Sequence, residues 1–197
     1  MGFGDCEGGV LKAQDTAVEL YKLAALMLGH EGEALNLVES TVAGVEVDPC
    51  APEDGAVETA RHYLIEAAVA RMYQADPEAF AVPAPANGPV GCIEDDDLSA
   101  AGISASQMAE LVKGAAKGAG SGDRLRAWLD ELPPAQRAIF VQRAVLGWDN
   151  TATAASLAKG VGTQPGWSAA QVSESFRQAL CSLANALVHS EAERVTA

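Results

Sequence analysis

The stretch Val82-Pro83-Ala84-Pro85-Ala86-Asn87-Gly88-Pro89, near the middle of the 197-residue chain, constrains the fold more than any other feature. Each proline fixes φ and removes a backbone donor, so neither a helix nor a strand is expected to cross it. The acidic run Glu94 to Asp97 follows, and Gly118-Ala119-Gly120-Ser121-Gly122 closes the region with linker-like composition. Between them, Ser104-x-x-Gln107 can cap one weak helix over residues 106–116. Residues 79–122 therefore read as an acidic, Pro/Gly-rich linker with a short helix. The core must come from the segments on either side, 1–78 and 123–197.

Both segments carry helical spacing. In the first, Thr16-x-x-Glu19 has the capping-box pattern and precedes an apolar run from Val18 to Leu28, with Gly29 as a stop. A second helix is expected from Glu31, with Leu35, Val38, Val42 and Val45 in phase. A third is expected over 56–74, with Val57, Ala60, Leu64, Ala68 and Met72 on one face and Pro77 beyond its end. In the second segment, Leu125, Trp128, Leu129 and Leu132 form a stripe, and Pro133-Pro134 opens a new helix through Val145. Asn150 is placed to cap a short helix through Leu157. A loop with Gly160, Gly162, Pro165 and Gly166 follows. Ser168-x-x-Gln171 then starts a final helix with Val172, Phe176, Leu180, Leu183 and Leu187 along one seam. The expected fold is all-α: two small helical domains, a three-helix N-terminal bundle and a C-terminal helix-turn-helix domain, joined by a long linker.

Charge narrows the partners. The net charge is -14, and phosphate binding depends on Lys and Arg. From Asp15 to Glu78 thirteen acids face only Lys22, Arg61 and Arg71, whereas from Asp123 to His189 six bases face five acids. DNA affinity is thus expected in the second half. No apolar run is long enough for a membrane span, and the first residues lack the basic start and apolar centre of a secretory signal. The four cysteines, Cys6, Cys50, Cys92 and Cys181, are widely spaced, so free thiols in a cytoplasmic protein are expected.

Two phrases resemble the two domains of the extracytoplasmic-function sigma factors of RNA polymerase. Leu20-Tyr21-Lys22-Leu23-Ala24 through Leu28-Gly29, followed by Leu37-Val38-Glu39-Ser40-Thr41-Val42, is similar to the polymerase-binding and promoter-melting domain. Leu129-Asp130-Glu131-Leu132-Pro133-Pro134-Ala135-Gln136-Arg137-Ala138-Ile139-Phe140 is similar to the opening of the upstream-promoter domain and is the more specific of the two. The resemblance implies that Asn36, Glu39 and Ser40 contact the polymerase clamp. It places Arg61, Tyr63 and Arg71, with His62 and Tyr73, where such proteins capture melted DNA. It places Gln171, Ser173, Ser175, Arg177 and Gln178 on the recognition helix, where family members carry more bases and Arg177 is here the one cation. The turn before that helix is stretched by residues 159–166.

No catalytic constellation stands out, and the chain is expected not to be an enzyme and to need no cofactor or metal. Asp95 to Asp97 read as a solvated acidic run. Gly118, Gly120 and Gly122 lack the Lys-Ser/Thr of a phosphate loop. The expected partners are RNA polymerase core, promoter DNA held weakly or through polymerase, and an anti-sigma or other protein. The alternative is a helical scaffold or interaction module derived from a sigma factor, with DNA binding lost. Trp128, Trp148 and Trp167 are expected in core or loop packing, a partner-binding patch being the other reading.

Overall fold

The computed structural model describes residues 7–44, 53–82, 121–162 and 166–195, and all regular structure among them is helical. Among the described residues seven helices occur in chain order: α1 (Glu7–Leu28), α2 (Glu31–Gly44), α3 (Glu53–Ala75), α4 (Ser121–Glu131), α5 (Pro134–Phe140), α6 (Asn150–Val161) and α7 (Ala169–Val195). A 3₁₀ turn, Glu78–Phe80, follows α3. The Pro-rich stretch, the acidic run 94–97 and the expected helix 106–116 lie outside the described residues.

Several boundaries differ from expectation. Helix α1 begins at Glu7, so Thr16 and Glu19 lie inside it rather than at its cap. No proline interrupts residues 7–28, and most of them are good helix formers. Its end is as expected: Gly29, at φ 75°, takes the left-handed conformation that stops the helix. The buried face of α2 is Ala34, Leu37, Val38 and Thr41, not the stripe through Leu35 and Val42. Both stripes have helical period, and contact with α1 and α3 selects the first. The Thr41 hydroxyl donates to the Leu37 carbonyl at 2.8 Å, which satisfies it inside the helix. Helix α4 starts at Ser121, taking in the last two residues of the expected linker.

In the second half Pro134 occupies the first turn of α5, where its missing donor costs nothing. Helix α5 then widens into a π-type turn over Val141–Val145, closed by Leu146 N–H donating to the Val141 carbonyl at 3.2 Å. Trp148 N–H reaches further back, to the Gln142 carbonyl at 3.1 Å. The cap of α6 is Asp149 rather than Asn150: its carboxylate accepts from Ala152 N–H at 2.7 Å. Gly160 is helical, and the stop is Gly162 at φ 88°. The capping box of α7 is present as read. Gln171 N–H donates to Ser168 Oγ at 3.3 Å, and Ser168 N–H donates to Gln171 Oε1 at 2.9 Å.

The halves share one continuous core. Leu20, Met27, Leu37, Leu64 and Val69 from the first half belong to the same buried cluster as Leu129, Phe140, Leu157, Val172 and Phe176 from the second. Trp128 meets Phe140 edge-on at 4.9 Å and donates its Nε1–H to Ser182 Oγ at 3.1 Å. The expectation of free thiols fails at Cys181, which is disulfide-bonded; the other three cysteines lie outside the described residues. No helix among the described residues is long and apolar enough to cross a membrane.

Candidate protein- and nucleic-acid-binding surfaces

Because α2 buries its Ala34–Thr41 stripe, its opposite side faces solvent. Asn36, Glu39 and Ser40 are all exposed there, flanked by Leu35 and Val42, which keep 51% and 52% of their surface. Glu31 and Glu33 sit in the first turn, and the last turn has no base. Ser40 is the most tethered member: its hydroxyl donates to the Leu37 carbonyl at 2.8 Å and accepts from Arg71 Nη2 at 3.4 Å.

The candidates on α3 are held from several sides. Arg61 pairs with Glu19 of α1 at 2.8 Å and with Glu58 one turn earlier at 3.0 Å. Burial alone would lower the Arg61 pKa; the hydrogen bonds to Glu19 and Glu58 outweigh it and raise the guanidinium above its ordinary value. Arg71 donates to the Glu33 carbonyl at 3.2 Å, lying across α2. Tyr63 is half exposed and leans on Gly44. His62 stacks on Trp148 of the second half, with ring centroids 4.3 Å apart and an interplanar angle of 16°. Tyr73 meets Phe80 edge-on at 5.9 Å.

The recognition-helix candidates are likewise engaged within the chain. The Gln171 side-chain oxygen is taken up by the capping box. Ser175 is buried, and its carbonyl accepts from Gln136 Nε2 at 3.1 Å, which ties α5 to α7. Ser173 is half-buried. Arg177 grips Glu174 through Nε at 3.0 Å and Nη2 at 2.7 Å, and Gln178 adds a bond to the same carboxylate at 2.9 Å. The bonds from Arg177 first, then Gln178, hold the Glu174 carboxyl below its ordinary range. A cation held this way has to leave a carboxylate before it meets a phosphate.

The Leu129–Phe140 phrase does structural work in this chain. Leu129, Leu132, Ala135, Ala138, Ile139 and Phe140 are buried. Arg137 folds back on Asp130, with Nη1 3.3 Å from the carboxylate and Nη2 3.0 Å from the carbonyl. Burial lowers the Arg137 pKa, and Asp130 offsets part of that loss. The pair sits against Gly29: a Cβ there would lie 2.8 Å from Asp130 Oδ1 and 2.9 Å from Arg137 Nη1. The α1–α2 turn thus meets the α4–α5 turn.

The chain matches no known protein family, no characterised protein and no solved structure. The surfaces therefore stand on their own geometry.

The residues that join the halves lie outside the candidates above. Lys159 Nζ bonds Glu66 Oε1 at 2.8 Å across α6 and α3. Gly160 meets Val69 directly. Trp167 donates its Nε1–H to the Phe80 carbonyl at 3.3 Å. Beside Trp167 a cavity of about 450 Å³ opens between the halves, lined by Tyr73, Phe80, Val82, Leu157 and Val161 among others. One signal was available in the sequence. Gly160 and Gly162 are two residues apart, and a helix needs only one glycine to stop.

Proposed function

We propose that the chain is a sigma-factor-like transcription protein that docks on core RNA polymerase through the outward side of α2. The observation that carries this reading is the exposed Leu35–Asn36–Glu39–Ser40–Val42 surface. It combines two apolar anchors with an acidic centre, the composition that fits a basic, partly apolar helical partner. Its polar positions are those that the sigma-factor resemblance assigns to the polymerase clamp. The two-domain arrangement implied by that resemblance is part of the same proposal, with α1–α3 as the docking unit and α4–α7 as the upstream-promoter unit. Its site of action would be the cytoplasm, and its DNA contacts would depend on polymerase, since the candidate cations are engaged within the chain. The test is capture of purified core polymerase by the tagged protein. Wild type is expected to retain it, and Leu35→Ser combined with Glu39→Lys is expected to cut retention at least tenfold with an unchanged melting temperature. Equal retention by both proteins would sink the reading.

A second reading is a scaffold that uses the helical fold for self-assembly or protein binding. It is favoured by the intrachain pairing of Arg61, Arg71 and Arg177. Light scattering on the eluting protein separates the readings: a stable homo-oligomer supports the scaffold, and a monomer supports the sigma-like protein.

A further inference from the structure

Tyr73 is the last of four residues, with His62, Glu66 and Val69, that stand at i, i+4, i+7 and i+11 along one stripe of α3. It faces the cavity of about 450 Å³ between the end of α3 and the end of α6. That volume falls in the range of about 300–1,000 Å³ usual for small-molecule sites. Three rings line it: Tyr73, Phe80 and Trp167. Tyr73 and Phe80 stand nearly perpendicular, at 86°, with centroids 5.9 Å apart. Trp167 is fixed by its Nε1–H bond to the Phe80 carbonyl at 3.3 Å. Phe80 and Trp167 are buried, so packing sets two of the walls, and the half-buried Tyr73 is the accessible one. Pro77, Leu157 and Val161 add apolar surface, and no charged residue is among those that line the cavity.

What surrounds the rings is negative. Helices α3 and α6 both bring their carboxyl ends to the cavity, through Tyr73 and Val161, and such an end carries a partial negative charge. Helix α3 has no base in its last turn, and Lys159, the base in the last turn of α6, is paired with Glu66. Pro77 is flanked in the chain by Asp76 and Glu78, both exposed, and Asp76 also accepts from Ala79 N–H at 3.1 Å. The amino end of α7 lies two residues beyond Trp167, but the Ser168–Gln171 box caps it. The chain as a whole carries -14. Aromatic rings attract a cation through their quadrupole, tryptophan most strongly, and sets of such rings recognise quaternary ammonium groups. We propose that this cavity binds a small organic cation with a methylated ammonium head, held among Tyr73, Phe80 and Trp167. Both helix ends disfavour an anion, and a neutral apolar molecule gains nothing from them. The site is separate from the α2 surface and does not depend on docking to polymerase.

The test titrates the full-length chain with choline and with 3,3-dimethylbutan-1-ol, which has the same shape with carbon in place of the charged nitrogen. Ionic strength is held constant with sodium chloride. The reporter is the indole N–H resonance of Trp167 in a proton–nitrogen correlation spectrum, assigned by its loss in Trp167→Phe. Choline is expected to move this resonance saturably, with an affinity about tenfold or more above that of the alcohol. Tyr73→Leu, on the half-buried wall, is expected to weaken choline about fivefold and to leave the alcohol unchanged. Equal affinity of choline and the alcohol for wild type overturns the proposal. So does a choline response that never saturates, the mark of loose attraction to an acidic surface, or an unmoved Trp167 resonance. The wild-type comparison needs no variant to fold. A folded Tyr73→Leu chain that binds choline as tightly as wild type overturns the role of the rings and the proposal with it.

Discussion

The outward side of α2 and the stripe of α3 belong to the same packed half, yet they end in opposite situations. On α2, Leu35 and Val42 remain half exposed around Glu39. On α3, His62, Glu66, Val69 and Tyr73 each meet the second half or a cavity bounded by it. Both helices have an inner apolar stripe that closes the core with α1. What differs is the second stripe of each. That of α3 offers a ring, a carboxylate, a β-branched residue and another ring at helical spacing. Helix α6 answers it with a lysine, a glycine and two flanking tryptophans. The second stripe of α2 has no such answer within the described chain. An apolar side chain is therefore a poor guide to its own burial: Leu35 and Leu37 are two residues apart and are half exposed and fully buried respectively.

The sharpest way to break this contrast is to truncate equivalent side chains on each helix. Ile65→Ala on α3 is expected to lower the unfolding free energy by about 2–5 kcal/mol in urea titration, because the side chain is fully enclosed. Leu35→Ala is expected to stay within about 0.5 kcal/mol of wild type. A comparable loss at Leu35 would mean that α2 is covered in solution. Next in size is the α1–α2 turn. Gly29→Ala combines a left-handed backbone with a close approach to Asp130, and a cost of about 1–2 kcal/mol is expected by thermal unfolding.

A smaller effect of opposite sign is expected in the turn before Trp148. Gln142 is fully buried in the π-type turn that delivers Trp148, and neither of its amide atoms has a protein partner. Gln142→Met fills the same space without polar groups. It is expected to stabilise by about 1 kcal/mol, or about 2–4 °C in melting temperature. A loss would mean that the amide is satisfied in solution.

The smallest effect is in acid. The Glu174 carboxyl titrates below its unfolded-state value, so its contribution is present above that value and is lost as pH falls through the lower folded-state pKa. Glu174→Gln should flatten the acid side of the stability profile slightly. It should also free Arg177 for phosphate, steepening the salt dependence of any DNA binding. An unchanged acid profile would show that the pair is screened by solvent.

Much of the fold was legible in the residues. The ends of α1 at Gly29 and α3 before Pro77, the Pro134 start of α5, the Ser168–Gln171 cap of α7 and its Val172–Phe176–Leu180 seam all follow from local chemistry. The misses share one cause. The start of α1, the buried face of α2, the cap at Asp149 and the helical state of Gly160 each had two locally acceptable answers. The candidate surfaces divide in the same way. The exposure of Asn36 and Glu39 accords with their polarity. The engagement of Arg61, Arg71 and Arg177 by Glu19, Glu33 and Glu174 was not, since two of these three partners come from other helices.

By itself, then, the sequence determined helices, their principal stops and the acidic balance, because these depend on residues within a turn or two of one another. The tertiary structure alone decided which of two apolar stripes is buried, that Gly160 meets Val69 ninety-one positions earlier, and that Trp148 and Trp167 close onto the first half. Helical periodicity states that a side chain shares a face with its neighbours, but only the approach of a distant helix states which face is closed to water.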